Sequence, residues 1–226
     1  ISDLLDSSRH FPSPKLRVNV WRQKVAQGEV MVIRYADDTV LGFQYQTDAD
    51  RFLEDLRERL GKFGLELHPD KTRRIEFGRF AEENRKRRGE GKPETFDFLG
   101  FTHISGKNRY GWFTVRRRSV RKRLQAKLRQ VKQQLRVRMH DPVPQTGEWL
   151  KSVVQGYFNY HAVPGNLDSL GMFRQRALGL WWHTLCRRSQ QRLPWSRMLT
   201  LAARWLPQPR VLHPYPAVRF TATHPR

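Results

Sequence analysis

The chain has 226 residues, 43 Lys/Arg against 21 Asp/Glu and a net charge of +22, with 38% hydrophobic residues that include seven Trp and 13 Phe. That length allows one or two domains with sizeable cores, and the aromatic content sets the chain apart from disordered sequences. The single cysteine, Cys186, excludes an internal disulfide and a Cys-paired zinc site, and it reads as a small apolar residue rather than a catalytic thiol. No apolar run approaches the length of a membrane span and no signal-peptide pattern is present, so a reducing cytoplasm is expected.

The charge is uneven. Residues 1–110 carry 21 Lys/Arg against 18 Asp/Glu, whereas residues 111–226 carry 22 against 3. A balanced half joined to a strongly basic half implies a polyanionic partner met mainly by the second half. Arg outnumbers Lys 32 to 11, which favours forked phosphate contacts and stacking on bases. An acidic membrane surface fits less well, because Trp and Tyr are spread through the basic half instead of lying on one helical face.

In chain order, residues 1–20 form an atypical stretch in which Pro12 and Pro14 break any helix. Ile1 in place of Met reads as the start of a piece of a longer chain. Residues Glu29 to Gln46, EVMVIRYADDTVLGFQYQ, then give two apolar, β-branched runs around the polar centre Tyr35-Ala36-Asp37-Asp38. This pattern predicts a hairpin of two buried strands. Most tight hairpin turns use Asn-Gly or Asp-Gly; this one has two adjacent carboxylates, whose repulsion a divalent metal would reverse. Hard Mg²⁺ takes one or two carboxylates plus substrate phosphates. A solvated acidic turn is the plainer alternative for a bare Asp-Asp pair.

Thr47 stands where a helix N-cap is expected, with Asp48 and Asp50 in the first turn. Phe52, Leu53, Leu56, Leu60 and Phe63 follow at helical spacing, and Gly64 closes the helix. Leu65 to Leu67, a turn at His68-Pro69-Asp70, and Arg74 to Phe77 read as strand, turn, strand. Residues 79–95 read as an exposed charged loop. Thr95 to Phe101, a turn at Ser105 to Asn108, and Gly111 to Val115 read as a second hairpin. From Val115 to Arg138 there are eleven Lys/Arg and no acid, with Val120, Leu124, Leu128, Val131 and Leu135 forming one apolar stripe. A helix over those residues would be roughly 36 Å long, enough to track a turn of nucleic-acid duplex. An unmixed positive run favours phosphate binding over a merely solvated face. Two further helices are expected, one from Glu148 to His161 and one from Leu167 to Arg188, making a small bundle.

RYADDTVLGF at 34–43 resembles the palm motif of reverse transcriptases, in the form used by group II intron-encoded reverse transcriptase/maturases. GLELHPDKT at 64–72 and FLGF at 98–101 resemble later segments of the same family, in the same order. The basic helix, the G-Y-F-N-Y-H string at 156–161 and the Pro164-Gly165-Asn166 stop resemble its maturase (thumb) domain. The resemblance implies an α+β fold: a partial palm over 1–114 (1–20 degraded or atypical), an α-helical thumb over 115–190 and a basic, proline-rich tail over 191–226. It implies RNA-templated DNA synthesis with Asp37 and Asp38 as ligands of two Mg²⁺ ions, Asp38 the weaker because successive strand residues point to opposite faces. Lys71 would protonate the leaving pyrophosphate, although a solvated lysine beside a turn fits the sequence equally. Tyr35 and Ala36 would line the nucleotide site, and Phe98, Leu99 and Gly100 would hold the primer end. Arg116, Arg117, Arg118, Arg121, Lys122, Arg123, Lys127 and Arg129 would grip RNA. Tyr157, Tyr160, Trp181 and Trp182 serve either as bundle core or as base-stacking residues.

The partners implied are group II intron RNA, an RNA template with a DNA primer, and deoxynucleotides, in a bacterial cytoplasm with no membrane. The fingers and the first metal-binding aspartate of the family correspond to positions before Ile1. The chain is therefore expected to be inactive as a polymerase by itself. The competing class is a non-enzymatic RNA-binding splicing cofactor, or a decayed remnant.

Overall fold

The computed structural model describes residues 18–36, 38–189 and 192–215. Asp37, most of the atypical stretch 1–20 and the last residues of the tail lie outside the described residues. The fold is mixed α+β, with small antiparallel sheets followed by helices. The chain divides into two compact units, Ile1–Ile75 and Glu76–Arg226.

The first unit contains α1 (Val18–Lys24), β1 (Val30–Tyr35), β2 (Asp38–Phe43) and α2 (Gln46–Gly61). β1 and β2 pair antiparallel, with Val30 opposite Phe43 and Tyr35 opposite Asp38. Val18, Trp21, Val30 and Phe52 form its core. Trp21 meets Phe52 edge-on at 5.0 Å and Phe43 at 6.0 Å. The indole Nε1 donates to Asp55 Oδ2 at 2.7 Å, so this large ring is buried with its polar atom satisfied.

Three expectations for this unit need correction. Thr47 does not cap α2; Tyr45 holds the cap position without a side-chain bond, and the helix begins at Gln46. Asp48 is buried instead of merely facing the helix dipole. Its carboxylate accepts the backbone N–H groups of Gln27 and Gly28 at 3.0–3.1 Å, which fixes the chain entering β1. Phe63 is exposed because it lies past the helix end, under the Arg59 guanidinium. Gly64 does close α2, with φ +66° and the Leu65 N–H reaching back to Leu60 O at 3.0 Å.

β1 is not buried on both faces. Met31, Val32, Ile33 and Tyr35 are exposed, because among the described residues β1 pairs only with β2 and the core lies under its Val30 end. Residues 65–67 and 74–77 form no strands. The turn between them exists, since the Lys71 and Thr72 N–H groups both donate to His68 O, but among the described residues neither flank finds a strand to pair with. Arg74 pairs with Asp50 of α2 instead.

The second unit contains α3 (Ala81–Arg87), β3 (Phe96–Phe98), β4 (Phe101–Lys107), β5 (Phe113–Ser119), α4 (Arg121–Val137), α5 (Val143–His161), α6 (Leu167–Ser189) and α7 (Trp195–Trp205). The sheet order is β3-β4-β5, all antiparallel. α3 occupies part of the expected loop at 79–95. Its basic end is held by Arg88 with Glu76 and Glu90, and by Arg85 with Glu90 at 3.3 Å.

The expected single helix over 115–138 is instead a strand and a shorter helix. Arg116, Arg117 and Arg118 lie on β5, paired with Ile104, His103 and Thr102. α4 has 17 residues and so spans about 25 Å. Its stripe Leu124, Leu128, Val131 and Leu135 is buried. α5 starts at Val143, five residues earlier than expected, with Pro144 tolerated in its first turn. The tail contributes α7, whose Met198 and Ala202 join the core made by Leu150, Val154 and Phe158 of α5 and Phe173 and Trp181 of α6. Gly147 makes room for this helix: a Cβ there would lie 2.7 Å from the Trp205 ring. Among the described residues, no helix is long and apolar enough to cross a membrane.

Candidate nucleic-acid site

In the first unit the hairpin tip carries Tyr35 at the end of β1 and Asp38 at the start of β2, directly paired. Both side chains are exposed, Tyr35 at 65%. Ala36 adopts φ +49°, the positive value that a two-residue hairpin turn requires and that usually selects glycine or asparagine. A non-glycine residue held there is a local cost of order 1 kcal/mol. Lys71 is exposed in the turn after α2. Among the described residues, no three His, Cys, Asp or Glu side chains gather in a way that could hold a metal ion. Asp37, the first of the two carboxylates in the motif, lies outside the described residues.

In the second unit, Leu99 and Gly100 are the two turn residues joining β3 to β4. Both have positive φ, +48° and +78°, as a type I′ turn demands. The strand break falls inside the FLGF segment, so Phe98 ends one strand and Phe101 opens the next. This turn is tied to α5. Tyr160 Oη donates to Leu99 O at 2.8 Å, and the Tyr160 ring stacks on Phe101 with centroids 5.7 Å apart. The Val120 N–H donates to Gly100 O at 3.0 Å, which fixes the start of α4 against the same turn.

A groove of about 490 Å³ opens beside the turn. Arg123 and Lys127 of α4 line one side, Ser152, Gly156 and Tyr160 of α5 the other, and Gly100 lies at one end. A Cβ on Gly100 would stand 3.3 Å from Arg123 Nη1. Arg123 and Tyr160 stand over Gly100, which the family resemblance puts at the primer end. Replacing Gly100 by Ala should destabilise the unit by about 1 kcal/mol, because alanine resists the left-handed backbone. A denaturant midpoint unchanged from that of the native chain would contradict that.

The basic residues divide by face. Arg116 and Arg118 are exposed on β5, and Arg117 is half-buried, its guanidinium pKa lowered by that burial. Arg121, Lys122, Arg123 and Arg129 are exposed on α4, and Lys127 is half-buried in the groove. Of the aromatics considered for stacking, Trp181 and Tyr157 are core, Trp182 is half-buried with its Nε1 donating to Leu193 O, and Tyr160 is exposed.

Asn166 was missed by sequence reasoning beyond its role in stopping α5. It is fully buried, accepts the Ser119 N–H at 2.9 Å and donates to Ser119 Oγ at 2.9 Å and His161 O at 2.8 Å. It thereby ties the end of the basic strand to the α5–α6 corner. Apart from the Pro-Gly-Asn turn, no local signal in the sequence marks that long-range role.

Two histidines beside these elements are held below the ordinary imidazole pKa. For His161 the main cause is burial, with the Arg123 charge adding to it; its ring stacks on Tyr157 at 4.0 Å. For His103 the main cause is again burial, with Arg117 nearby, and its ring stacks on Phe96. A histidine whose folded pKa is depressed stays neutral while its unfolded counterpart takes a proton. Stability is therefore lost as pH falls below about 6.5, the unfolded value. The thermal midpoint should drop between about pH 7 and pH 5, and less so when both residues are replaced by Gln. An equal drop in the double variant would remove these histidines as the cause.

Residues 15–103 match one protein family, Reverse transcriptase (RNA-dependent DNA polymerase). The match spans the Asp37-Asp38 hairpin, the turn bearing Lys71 and the Leu99-Gly100 turn. No curated protein matches the chain. Members of the matched family carry out RNA-directed DNA synthesis on template, primer and deoxynucleotides, generally with Mg²⁺.

Proposed function

We propose that the chain is part of a group II intron reverse transcriptase/maturase and that its 76–226 unit grips RNA. The supporting observation is the run of cations on β5 and α4, two elements that carry no acidic residue and adjoin the Leu99-Gly100 turn through Val120; Arg118 also pairs with Asp168 at 3.8 Å. In this reading residues 1–114 are palm, 115–190 the maturase (thumb) domain and 191–226 a basic tail, in a bacterial cytoplasm. Asp37 and Asp38 are the palm carboxylates that would face Mg²⁺, Lys71 stands by as a proton donor, and Tyr35 and Ala36 lie at the nucleotide. Phe98, Leu99 and Gly100 sit under the primer end. Arg116 to Arg118, Arg121 to Arg123, Lys127 and Arg129 contact the phosphates of intron RNA or of the template–primer duplex.

The reading is tested by competition. A group II intron RNA should displace a labelled duplex RNA of equal length at about 0.2 M salt, where generic phosphate contacts are weakened. Equal competition by both RNAs would leave a general RNA-binding unit and remove the maturase assignment.

The second reading is a non-enzymatic splicing cofactor, and the charge of the hairpin motif supports it: Asp37 and Asp38 are its two adjacent carboxylates. Primer extension by the 226-residue chain alone, with template, primer, Mg²⁺ and deoxynucleotides, should therefore be absent. Two adjacent aspartates bring two negative charges against the four positive charges of two Mg²⁺ ions. Template-dependent extension that Asp37→Asn abolishes would show that the chain completes the centre itself.

A further inference from the structure

The loop joining β4 to β5, Asn108 to Trp112, is more ordered than its exposure requires. Asn108 Oδ1 accepts the N–H groups of Tyr110 at 2.9 Å and Trp112 at 3.0 Å. The Asn108 N–H donates to Trp112 O at 2.8 Å, and the Gly111 N–H, with φ +79°, donates to Asn108 O at 3.0 Å. Arg116 Nη2 braces the base of the loop by donating to Lys107 O at 2.6 Å. This fixed backbone holds two large rings in water: Tyr110 is 68% exposed and Trp112 73%.

Rings of that size are normally spent on cores or interfaces, since burying one is worth several kcal/mol. Here they stand outside both cores. Their surroundings are cationic. The Arg109 guanidinium lies 4.6 Å over the Tyr110 ring, with Lys107 and Arg116 at the loop base; Glu82 lies 3.9 Å from Lys107 Nζ. The complementary partner carries negative charge and flat apolar faces together. A paired duplex offers the charge but keeps its base faces closed, whereas unpaired nucleotides offer both.

We propose that the β4–β5 tip is a stacking platform for unpaired nucleotides of RNA, with Tyr110 and Trp112 as the stacking rings and Arg109 as the cation beside them. The proposal rests on the reading that the 76–226 unit binds RNA. It adds a requirement for unpaired bases that the phosphate contacts of β5 and α4 do not impose.

The test uses the full chain and two RNAs of equal length, one fully paired and one with an internal unpaired segment carrying 2-aminopurine. The double variant Y110A/W112A should bind the unpaired-segment RNA about tenfold or more weakly, within the range that removing a stacking ring produces. Its affinity for the paired RNA should change less than about twofold. The wild-type chain should quench 2-aminopurine emission on binding, Y110F/W112F should retain that quench, and Y110A/W112A should lose it. Equal losses on both RNAs, or no loss and an unchanged quench, would overturn the platform while leaving RNA binding intact. If the wild-type chain bound neither RNA, the RNA-binding reading itself would fall, and the platform with it.

Discussion

Replacing Arg121, Lys122 and Arg123 together by Glu should weaken RNA binding roughly a hundredfold near physiological salt and flatten its salt dependence by about three units of slope. The same variant should be more stable than the native chain, and this makes the prediction discriminating. These three cations fill the first turn of α4, which has no acidic residue and no side-chain cap. The positive end of a helix dipole repels cations there, at about 0.3–1 kcal/mol each. Folding alone would favour the opposite charge. Reversal should therefore raise stability by about 1 kcal/mol or more while affinity collapses. All three side chains are exposed, and the buried stripe from Leu124 to Leu135 lies on another face, so the core is undisturbed. Reversing Arg51 and Arg57, exposed on α2, should change the slope by less than about one unit. A large loss of thermal stability in the α4 variant, or the same slope change from the α2 variant, would mean that α4 is not the binding face.

Asn166→Ala should cost the second unit roughly 3 kcal/mol or more, because it leaves buried donors and acceptors at Ser119 and His161 without partners. The Asn166 side chain makes three hydrogen bonds at zero exposure, across 47 residues of sequence to Ser119. The Tyr157 hydroxyl beside Ser119 is buried, and that burial raises its pKa. Asn166→Asp should be no better than Ala, since it keeps the acceptor for the Ser119 N–H but loses both donated bonds and buries a charge. The measurement is the denaturant midpoint of each variant. A cost below about 1 kcal/mol for the alanine variant would show that solvent replaces the amide and that the tie is weak.

What the sequence revealed follows physical locality. The Tyr35–Asp38 hairpin and the α4 stripe are local: period-two and period-3.6 patterns decide them, and both are present. By sequence the Arg116 to Ser119 segment reads as part of the helix because arginine marks neither period. Its strand state is decided by pairing with Phe101 to Ile104, some fifteen residues away. Residues 65–67 and 74–77 show the converse, since β-prone residues that meet no partner strand among the described residues form no strand. α7 was hidden between Pro194 and Pro207, although Met198 and Ala202 have helical spacing. At the candidate site, motif spacing set Leu99 and Gly100 together but ran them inside one strand over 95–101 with the turn at 105–108; the structure turns at Leu99-Gly100 and carries β4 on through Lys107. The spacing did not show that Arg123 and Tyr160 cover Gly100, nor that Asn166 holds the basic strand, because both depend on contacts made only after the helices pack.

Fluorescence anisotropy of the wild-type chain with a structured RNA, in a metal chelator and over a series of salt concentrations, tests the RNA-gripping role most directly. The basic face of β5 and α4 lies in a different unit from the Asp37-Asp38 hairpin, so binding should be tight without divalent metal. Its affinity should fall steeply and linearly on a log–log plot, with a slope matching roughly six to ten phosphate contacts. A slope near zero, or binding that appears only when Mg²⁺ is restored, would contradict the account.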